Sequence, residues 1–317
     1  MMPHRLVGHC VHVSLSLLVC GSIASAAPAV FTLDTPNSFL TIGGNVAGST
    51  ITQQGAGSLR TTYSGEILAN LASSTIELVG GTADANVSGS WQPLADGQLG
   101  SAPADYGGKF KVLVFFDAFF AIRDLAVSTS SPALALEPSG NFDSTGVTVT
   151  ALRGGIAYNA AILSQVGAGT LDGSSGANQS ALASNLTITR NATGADAVLF
   201  IPAEGAFVVV DPTIGTATLT FSGQSRATAA TINGDTNFDR TVDIGDFAVL
   251  GAGFNQPGSW LAGDFTGDGT VGIGDFSLLA ANFNQSAPSS ARGGMIPEPA
   301  SVAAICFATG LLSRRRR

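Results

Sequence analysis

The chain has 317 residues, of which 11% are charged and 40 are glycine; this length allows two or three domains, and the composition predicts short strands joined by tight turns. Between Ala27 and Ile296 the chain has 9 basic and 21 acidic residues, a net charge of −12. A surface of this charge repels nucleic acid and anionic lipid, so we predict no nucleic-acid partner.

Residues 1–26 have the pattern of a secretory signal peptide. A weakly basic start at His4 and Arg5 precedes the apolar run CVHVSLSLLVCGSI, and the small residues Ala24-Ser25-Ala26 follow. This pattern predicts cleavage after Ala26 and export of the remaining chain. The alternative, a lipoprotein signal ending at Cys20, has a bulky Val19 before the cysteine.

Histidine and cysteine are confined to the two ends of the chain. The predicted signal peptide holds all three histidines and two of the three cysteines, and the last cysteine lies in the tail: His4, His9, His12, Cys10, Cys20 and Cys306. The exported body therefore lacks disulfides, His-ligated zinc and Ser-His-Asp or Cys-His catalysis. A carboxylate pair of the glycosidase type remains possible.

The largest segment, residues 27–230, is predicted to be built from strands. Apolar and polar residues alternate at 147–150, 186–189 and 217–221. Two further apolar runs, Ala197–Ile201 and Phe207–Val210, are separated by PAEGA, which predicts a hairpin turn. The segment lacks a convincing helix pattern, and we predict an antiparallel β-sandwich or jelly roll.

Three other stretches of this body have a predicted structure. Ser74–Val79 predicts a strand that ends before Gly80-Gly81. The apolar run Val112–Ile122 predicts a central strand or a strand pair. It is too short, and at Asp117 too charged, to span a membrane. The flanking segments SAPADYGG and STSSPALALEPSG predict loops.

Catalytic and sugar-binding candidates in the body are few. Its glutamates are Glu66, Glu77, Glu137 and Glu204. The sequence does not show whether two of them approach at a glycosidase separation. An aromatic platform for carbohydrate would need exposed rings, and the tyrosines and tryptophan available are predicted to pack in the core or at sheet edges: Tyr63, Trp91, Tyr106 and Tyr158.

Two acidic segments further along the chain are copies of each other. Residues 233–256, NGDTNFDRTVDIGDFAVLGAGFNQ, and residues 262–285, AGDFTGDGTVGIGDFSLLAANFNQ, are offset by 29 positions and are identical at 14 of 24. Repetition at a fixed period indicates a repeated structural unit.

Each copy predicts a loop followed by a short helix. Apolar residues recur at i, i+3 and i+7, namely Phe247, Leu250 and Phe254, then Phe276, Leu279 and Phe283. Neither helix could bury this stripe alone, so we predict that the helices pack antiparallel in a module spanning 231–287. Asp243 is predicted to cap the first helix, and Asp246 to lie in its first turn.

The loops place oxygen-bearing residues at the spacing of a calcium loop. Loop one, residues 235–246, offers side chains of Asp235, Asn237, Asp239 and Asp246, the carbonyl of Thr241, and Asp243 directly or through water. Loop two, residues 264–275, offers Asp264, Thr266, Asp268, Asp275 and the carbonyl of Thr270. Converging carboxylates repel unless a cation lies among them, so we predict calcium in both loops.

The loops differ at their sixth position. Gly269 accepts a left-handed φ freely, whereas this conformation costs Arg240 about 1–2 kcal/mol. Loop two has lost one carboxylate and one amide relative to loop one. Loop one therefore has better ligands and a less favourable backbone, and the sequence leaves open which loop binds more tightly.

A duplicated loop and helix, with Asp246 and Asp275 at position 12, resembles the type I dockerin module over residues 233–285. The resemblance implies calcium-dependent folding and docking to a cohesin-like partner through an exposed helix surface. The usual hydroxyl pair after the ninth loop position is here Ile244-Gly245 and Ile273-Gly274, which departs from the family pattern. Ile244 also fits the apolar stripe, three residues before Phe247, as a core residue.

The tail, 296–317, follows a linker at 288–295. Pro297, Glu298 and Pro299 precede thirteen uncharged residues and then the basic end, which comprises Arg314, Arg315, Arg316 and Arg317. Thirteen helical residues span about 20 Å, less than a bilayer core, which predicts a transient membrane anchor. The tail closely resembles the PEP-CTERM sorting signal. That resemblance implies processing by an exosortase-type protease and delivery to the cell surface or extracellular polysaccharide matrix.

Together these features predict a non-catalytic exported surface or matrix protein with a calcium-stabilised docking module. Two alternatives remain at this point: a secreted polysaccharide-acting glycoside hydrolase carried by the module, or a carbohydrate-binding adhesin.

Overall fold

A computed structural model describes residues 27–54, 59–94, 100–177, 183–211 and 215–287. The predicted signal peptide, the linker at 288–295 and the predicted sorting tail lie outside the described residues.

The described chain is mostly β-structure with a small helical module, as predicted. The strands of its first half are β1 Ala29–Leu33, β2 Phe39–Val46, β3 Ser49–Thr50, β4 Thr52–Gln53, β5 Arg60–Ala72, β6 Thr75–Ala85, β7 Gly89–Trp91, β8 Ala102–Ala104, β9 Tyr106–Val112 and β10 Phe116–Ser130. The remaining strands are β11 Leu134–Ala135, β12 Asn141–Asp143, β13 Thr148–Ala160, β14 Gln165–Thr170, β15 Ser175–Ala177, β16 Ala183–Arg190, β17 Gly194–Asp211 and β18 Gly215–Ile232. The helices are α1 Ile244–Gly253 and α2 Ile273–Asn282, and 3-10 turns occupy Thr35–Asn37, Ala161–Leu163 and Trp260–Ala262.

Sixteen of these strands belong to one antiparallel sheet. Its main path runs β12-β16-β17-β18-β1-β5-β6-β10-β13-β14, while β7 and β8 pair only with each other. The sheet folds over an apolar interior, because Ile201 of β17 lines the same small internal space as Val127 of β10 and Val149 of β13. Strands far apart in the pairing order therefore face each other across an apolar interior, in the manner of a sandwich.

The predicted hairpin at PAEGA is wrong. Residues 194–211 form one continuous strand, β17, whose pairing with β18 passes through Pro202 opposite Gln224. Strand β16 pairs with β17 only as far as Phe200, so one edge of β17 is free of β16 at Pro202. Proline is tolerated on such an edge, since no ladder hydrogen bond has to be donated there.

The glycine pair after Val79 does not end its strand either. Strand β6 continues through Gly80 and Gly81, and its register against β5 shifts at this point. Gly81 has φ 103°, and a Cβ built on it would lie 2.2 Å from the carbonyl oxygen of Glu66. The glycines thus allow a bulge with close backbone approach.

The apolar stretch Val112–Ile122 is neither a single strand nor a strand pair, because it holds only the last residue of β9, a turn and the first half of β10. Strands β9 and β10 pair from Phe116 opposite Val112 to Ile122 opposite Tyr106, around an exposed apolar turn. SAPADYGG is not the predicted loop, because it contributes β8 and the start of β9. STSSPALALEPSG is largely a loop, apart from the end of β10 and the short β11.

One hydrophobic cluster extends from the body into the module. It joins buried body residues such as Phe31 and Ile76 to buried module residues, namely Phe238, Leu250, Trp260, Phe265 and Leu279. The module is therefore packed on the body, not tethered to it as a separate unit. Among the described residues, no helix has the length and apolarity needed to cross a bilayer.

Candidate metal centre

The two copies of the repeat hold each other in place through backbone hydrogen bonds. The N–H of Val242 in loop one donates to the carbonyl of Gln285 after α2 at 2.9 Å. In the equivalent contact, the N–H of Val271 in loop two donates to the carbonyl of Gln256 after α1 at 3.0 Å. Each loop is thus bonded to the end of the other copy's helix, and the duplication is structurally reciprocal.

The predicted caps of α1 are confirmed. Asp243 Oδ1 accepts a hydrogen bond from the N–H of Gly245 at 2.6 Å, and the N–H of Asp243 donates to Asp246 Oδ2 at 2.9 Å. This reciprocal arrangement satisfies two otherwise unpaired N–H groups and fixes the Asp246 carboxylate at the start of the helix.

Loop one surrounds a buried carboxylate with hydrogen-bond donors. Asp235, the first residue of the loop, is fully buried. Its Oδ1 accepts from the N–H of Asn237 at 3.2 Å, and its Oδ2 accepts from the N–H of Arg240 at 2.8 Å and from the Thr231 hydroxyl. The donors hold this side chain inside the loop without a cationic side chain.

The other ligand candidates of loop one are held by hydrogen bonds within the same loop. Asp246 is also buried, and its Oδ1 accepts from both the N–H and the hydroxyl of Thr236 at 2.7 Å. Asp239 Oδ2 accepts from the Asn237 amide at 3.1 Å, and its Oδ1 accepts from the N–H of Thr241 at 2.9 Å.

Loop two repeats this arrangement with more exposed intermediate positions. Asp264 and Asp275 are buried, whereas the predicted ligands between them, Thr266, Asp268 and Thr270, are exposed. Asp275 Oδ1 accepts from the N–H groups of Phe265 and Thr266, both at 2.8 Å. Both loops therefore bury the first and twelfth carboxylates and leave the intermediate ligands nearer to solvent.

Burial makes the loop-one carboxylates Asp235 and Asp246 costly to keep charged. Burial raises the pKa of Asp235 to about 7; hydrogen bonds from Thr231 and Arg240 oppose this shift, and the charges of Asp246 and Asp239 add to it. Burial likewise raises the pKa of Asp246, against the hydrogen bonds donated by Asp243 and Thr236. A cation bound in the loop would relieve both the desolvation and the mutual repulsion.

These donor sets fit a calcium ion in chemical type. Carboxylate, amide, hydroxyl and carbonyl oxygens are the ligands calcium takes, six to eight at a time. In the described ranges, no three acidic side chains converge on one point as a ready-made cation cluster. Amide, hydroxyl and backbone oxygens would therefore have to complete the coordination as each loop closes on the ion.

Arg240 has the left-handed backbone conformation expected at the sixth loop position. Its φ is 77°, close to the 86° of Gly269 at the equivalent position. We therefore expect Arg240→Gly to tighten calcium binding at loop one, by about 5- to 30-fold if about 1–2 kcal/mol of strain is relieved. Loss of the hydrogen bond from the Arg240 guanidinium to the Ala287 carbonyl offsets part of this gain.

Calcium titration of the wild-type and Arg240→Gly proteins measures this effect. Arg240→Ala is the matched control, because it removes the same hydrogen bond but keeps a β-carbon at positive φ. Equal affinities for the Gly and Ala variants would contradict the strain argument.

Arg190, the last residue of β16, contacts loop two. The sequence did not reveal this contact. The Arg190 guanidinium lies 3.1 Å from Asp264 Oδ2 and 2.5 Å from the Asp264 carbonyl oxygen. The equivalent carbonyl in loop one, that of Asp235, accepts from the Trp260 indole N–H at 2.7 Å. The body therefore supplies a positive charge directly at the first ligand position of loop two.

Removing this charge should strengthen cation binding at loop two. We expect Arg190→Met to lower the calcium dissociation constant of loop two several-fold, since a guanidinium in contact with Asp264 competes electrostatically with calcium. Titration in an Asp246→Asn background isolates loop two. Arg153→Met, which breaks the surface ion pair with Asp84, is the control, and an unchanged or weaker affinity for Arg190→Met would contradict the prediction.

The apolar stripe of each helix is only partly buried. Leu250 and Leu279 are each 1% exposed, but Phe247 and Phe276 are 41% and 37% exposed. The ring centroids of Phe247 and Phe276 lie 6.1 Å apart, edge to face. Phe254 and Phe283 are each 40% exposed. The core interpretation of Ile244 is wrong, because Ile244 is 69% exposed and its counterpart Ile273 is 72% exposed.

The body's other candidates are placed as follows. Glu66 lies in β5, Glu204 is exposed in β17, and Glu137 is exposed in the turn before β12. Glu77 accepts a hydrogen bond from the Asn70 amide across the β5–β6 pair. Of the aromatic candidates, Tyr63 and Tyr106 are buried and Trp91 and Tyr158 are half-buried, which confirms their predicted packing roles.

Comparison with family models, with curated proteins and with solved structures finds no match to this chain.

Proposed function

We propose that this protein is a non-catalytic exported surface or matrix protein whose calcium-stabilised, dockerin-like module docks it to a partner protein. The observation that carries the proposal is the reciprocal pair of loops, each with buried carboxylates at its first and twelfth positions. The signal-like start and the PEP-CTERM-like tail support export and surface delivery, with transient membrane anchoring and an exosortase-type protease as a further partner.

The docking surface consists of exposed apolar residues that both helices contribute. We define it as the docking face, formed by Ile244, Phe247, Ile273 and Phe276. The ring contact between Phe247 and Phe276 joins the two helices' contributions into one patch. Exposed apolar patches of this kind are typical of protein-interaction sites. A cohesin-like domain with an apolar surface is the partner class that this face and the module's repeat favour.

The test measures binding of the purified protein to a panel of cohesin-type domains with calcium and with a chelator. We expect calcium-dependent binding that weakens at least tenfold in the double variant Ile244→Asp/Ile273→Asp. Ile162→Asp introduces the same change at an exposed apolar residue of the body and should leave binding unchanged.

The control outcomes separate docking from folding. Circular dichroism of the double variant should match wild type, since both substituted residues are exposed. If calcium-loaded protein binds no domain of the panel, or binds equally well in chelator, the proposed docking role is contradicted.

A further inference from the structure

The interior of the β body contains a cavity that the docking module does not use. Its volume is about 410 Å³. It lies inside the folded sheet. Its apolar lining comes from β2, β10, β13, β18 and the turn before β15, as Ile42, Ile122, Val149, Leu171 and Leu219 show. Protein interiors are normally packed with few spaces larger than a water molecule. A space of this size between two packed layers is therefore a structural feature to be explained.

The lining is mostly apolar, and its polar groups are hydroxyls. Of the described residues that line the cavity, none is charged. The polar groups at its inner end already bond each other: the hydroxyls of Tyr63 and Tyr106 lie 2.9 Å apart, and the Tyr106 hydroxyl donates to the Leu40 carbonyl at 3.2 Å. Both tyrosines are buried, and burial raises the pKa of each phenol above its ordinary value, so the pair stays neutral.

The outer end of the cavity reaches solvent. Val208 of β17 lines it and is 65% exposed, and the lining residues Ser174, Ser175 and Thr220 are also exposed. An entering molecule would thus pass hydroxyl groups at the mouth before it reaches the aliphatic interior. This order suits a ligand with an apolar body and at most one small polar end.

We propose that this cavity binds an apolar small molecule, specifically an acyl chain with a small polar end group. Ligand pockets typically have about 300–1,000 Å³, mostly apolar walls and a few polar groups, and this cavity has all three properties. An apolar cavity of about 150 Å³ already binds benzene, so the space here accommodates a larger molecule. Filling it replaces missing packing contacts, which favours occupation.

Binding is tested with the neutral fluorophore N-phenyl-1-naphthylamine, whose emission rises in apolar surroundings, and with dodecanol as a competitor. We expect a saturable rise with one site per chain, reversed by dodecanol. Ala151→Phe fills the buried wall of the cavity, and Ala206→Phe fills it near the mouth, where a larger residue is better tolerated. Each should raise the dissociation constant at least tenfold.

Two controls locate the dye. Val166→Phe adds the same ring at an exposed residue of β14 that does not line the cavity, and it should bind like wild type. The docking-face variant Ile244→Asp/Ile273→Asp should also bind like wild type. Absence of a saturable signal, failure of dodecanol to displace the dye, or loss of signal only in the docking-face variant would each overturn the proposal.

Discussion

Replacing Asp246 by asparagine is expected to remove roughly half of the calcium-dependent rise in the unfolding temperature. Asp246 is buried at the twelfth position of loop one, where its carboxylate would supply charge and two oxygens to the ion. A site filled at one hundred times its dissociation constant stabilises the folded state by about 2.7 kcal/mol. For a chain of this size, the rise attributable to loop one is about 5–10 °C.

The measurement is thermal unfolding followed by circular dichroism, with saturating calcium and with chelator. The quantity compared is the change in unfolding temperature on adding calcium. Unfolding temperatures alone would mislead, because asparagine also disturbs the hydrogen bonds that the N–H groups of Asp243 and Thr236 donate to Asp246. Asp172→Asn, at an exposed turn, makes the same charge change away from the loops and should respond like wild type. A full calcium response in Asp246→Asn would contradict the assignment of loop one.

Replacing Trp260 by alanine is expected to lower the free energy of unfolding by about 3–5 kcal/mol. Trp260 is 1% exposed, and its ring centroid lies 5.0 Å from that of Phe265 and 6.2 Å from that of Phe238. Its indole N–H donates to the Asp235 carbonyl. The substitution would leave a cavity where the hydrophobic cluster passes from module to body, together with an unpaired carbonyl at loop one.

Urea unfolding followed by circular dichroism measures this loss. Trp260→Phe keeps a ring but removes the N–H donor, so we expect a smaller loss of about 1–3 kcal/mol. Because one cluster joins the module and the body, wild type should unfold in a single transition. A separate early transition of the module, with the body unaffected by Trp260→Ala, would contradict the continuous core.

The elements with strong local periodicity were predictable from the sequence. Alternation placed strands at 147–150, 186–189 and 217–221, which lie largely or wholly in β13, β16 and β18, and the i, i+3, i+7 stripes placed α1 and α2. Asp243 was predictable as a cap, because capping depends only on neighbours along the chain. These are local properties, so one sequence suffices to reveal them.

The predictions that were wrong depended on distant pairing. PAEGA has the composition of a turn, but β18 pairs with it along its whole length and keeps it extended. Gly80 and Gly81 end a strand by local propensity, yet the close approach of β5 makes them a bulge. Tertiary contacts override local preference in both places.

The candidate site was predictable in its ligand spacing but not in its surroundings. The repeat revealed Asp235, Asp246, Asp264 and Asp275, since their positions follow from sequence alone. The contact of Arg190 with Asp264 spans 74 positions and has no local signature. The exposure of Ile244 likewise depends on which side of α1 the body leaves uncovered. The cavity in the body arises from layer closure and was also beyond sequence reasoning.

The most direct test of the calcium account is a calorimetric titration of calcium into chelator-treated protein. We expect saturable binding of two ions per chain, falling to one in Asp246→Asn, with a measurable gain of helical circular dichroism as the loops close. Absence of saturable heat, or a stoichiometry unaffected by substituting Asp246, would contradict it.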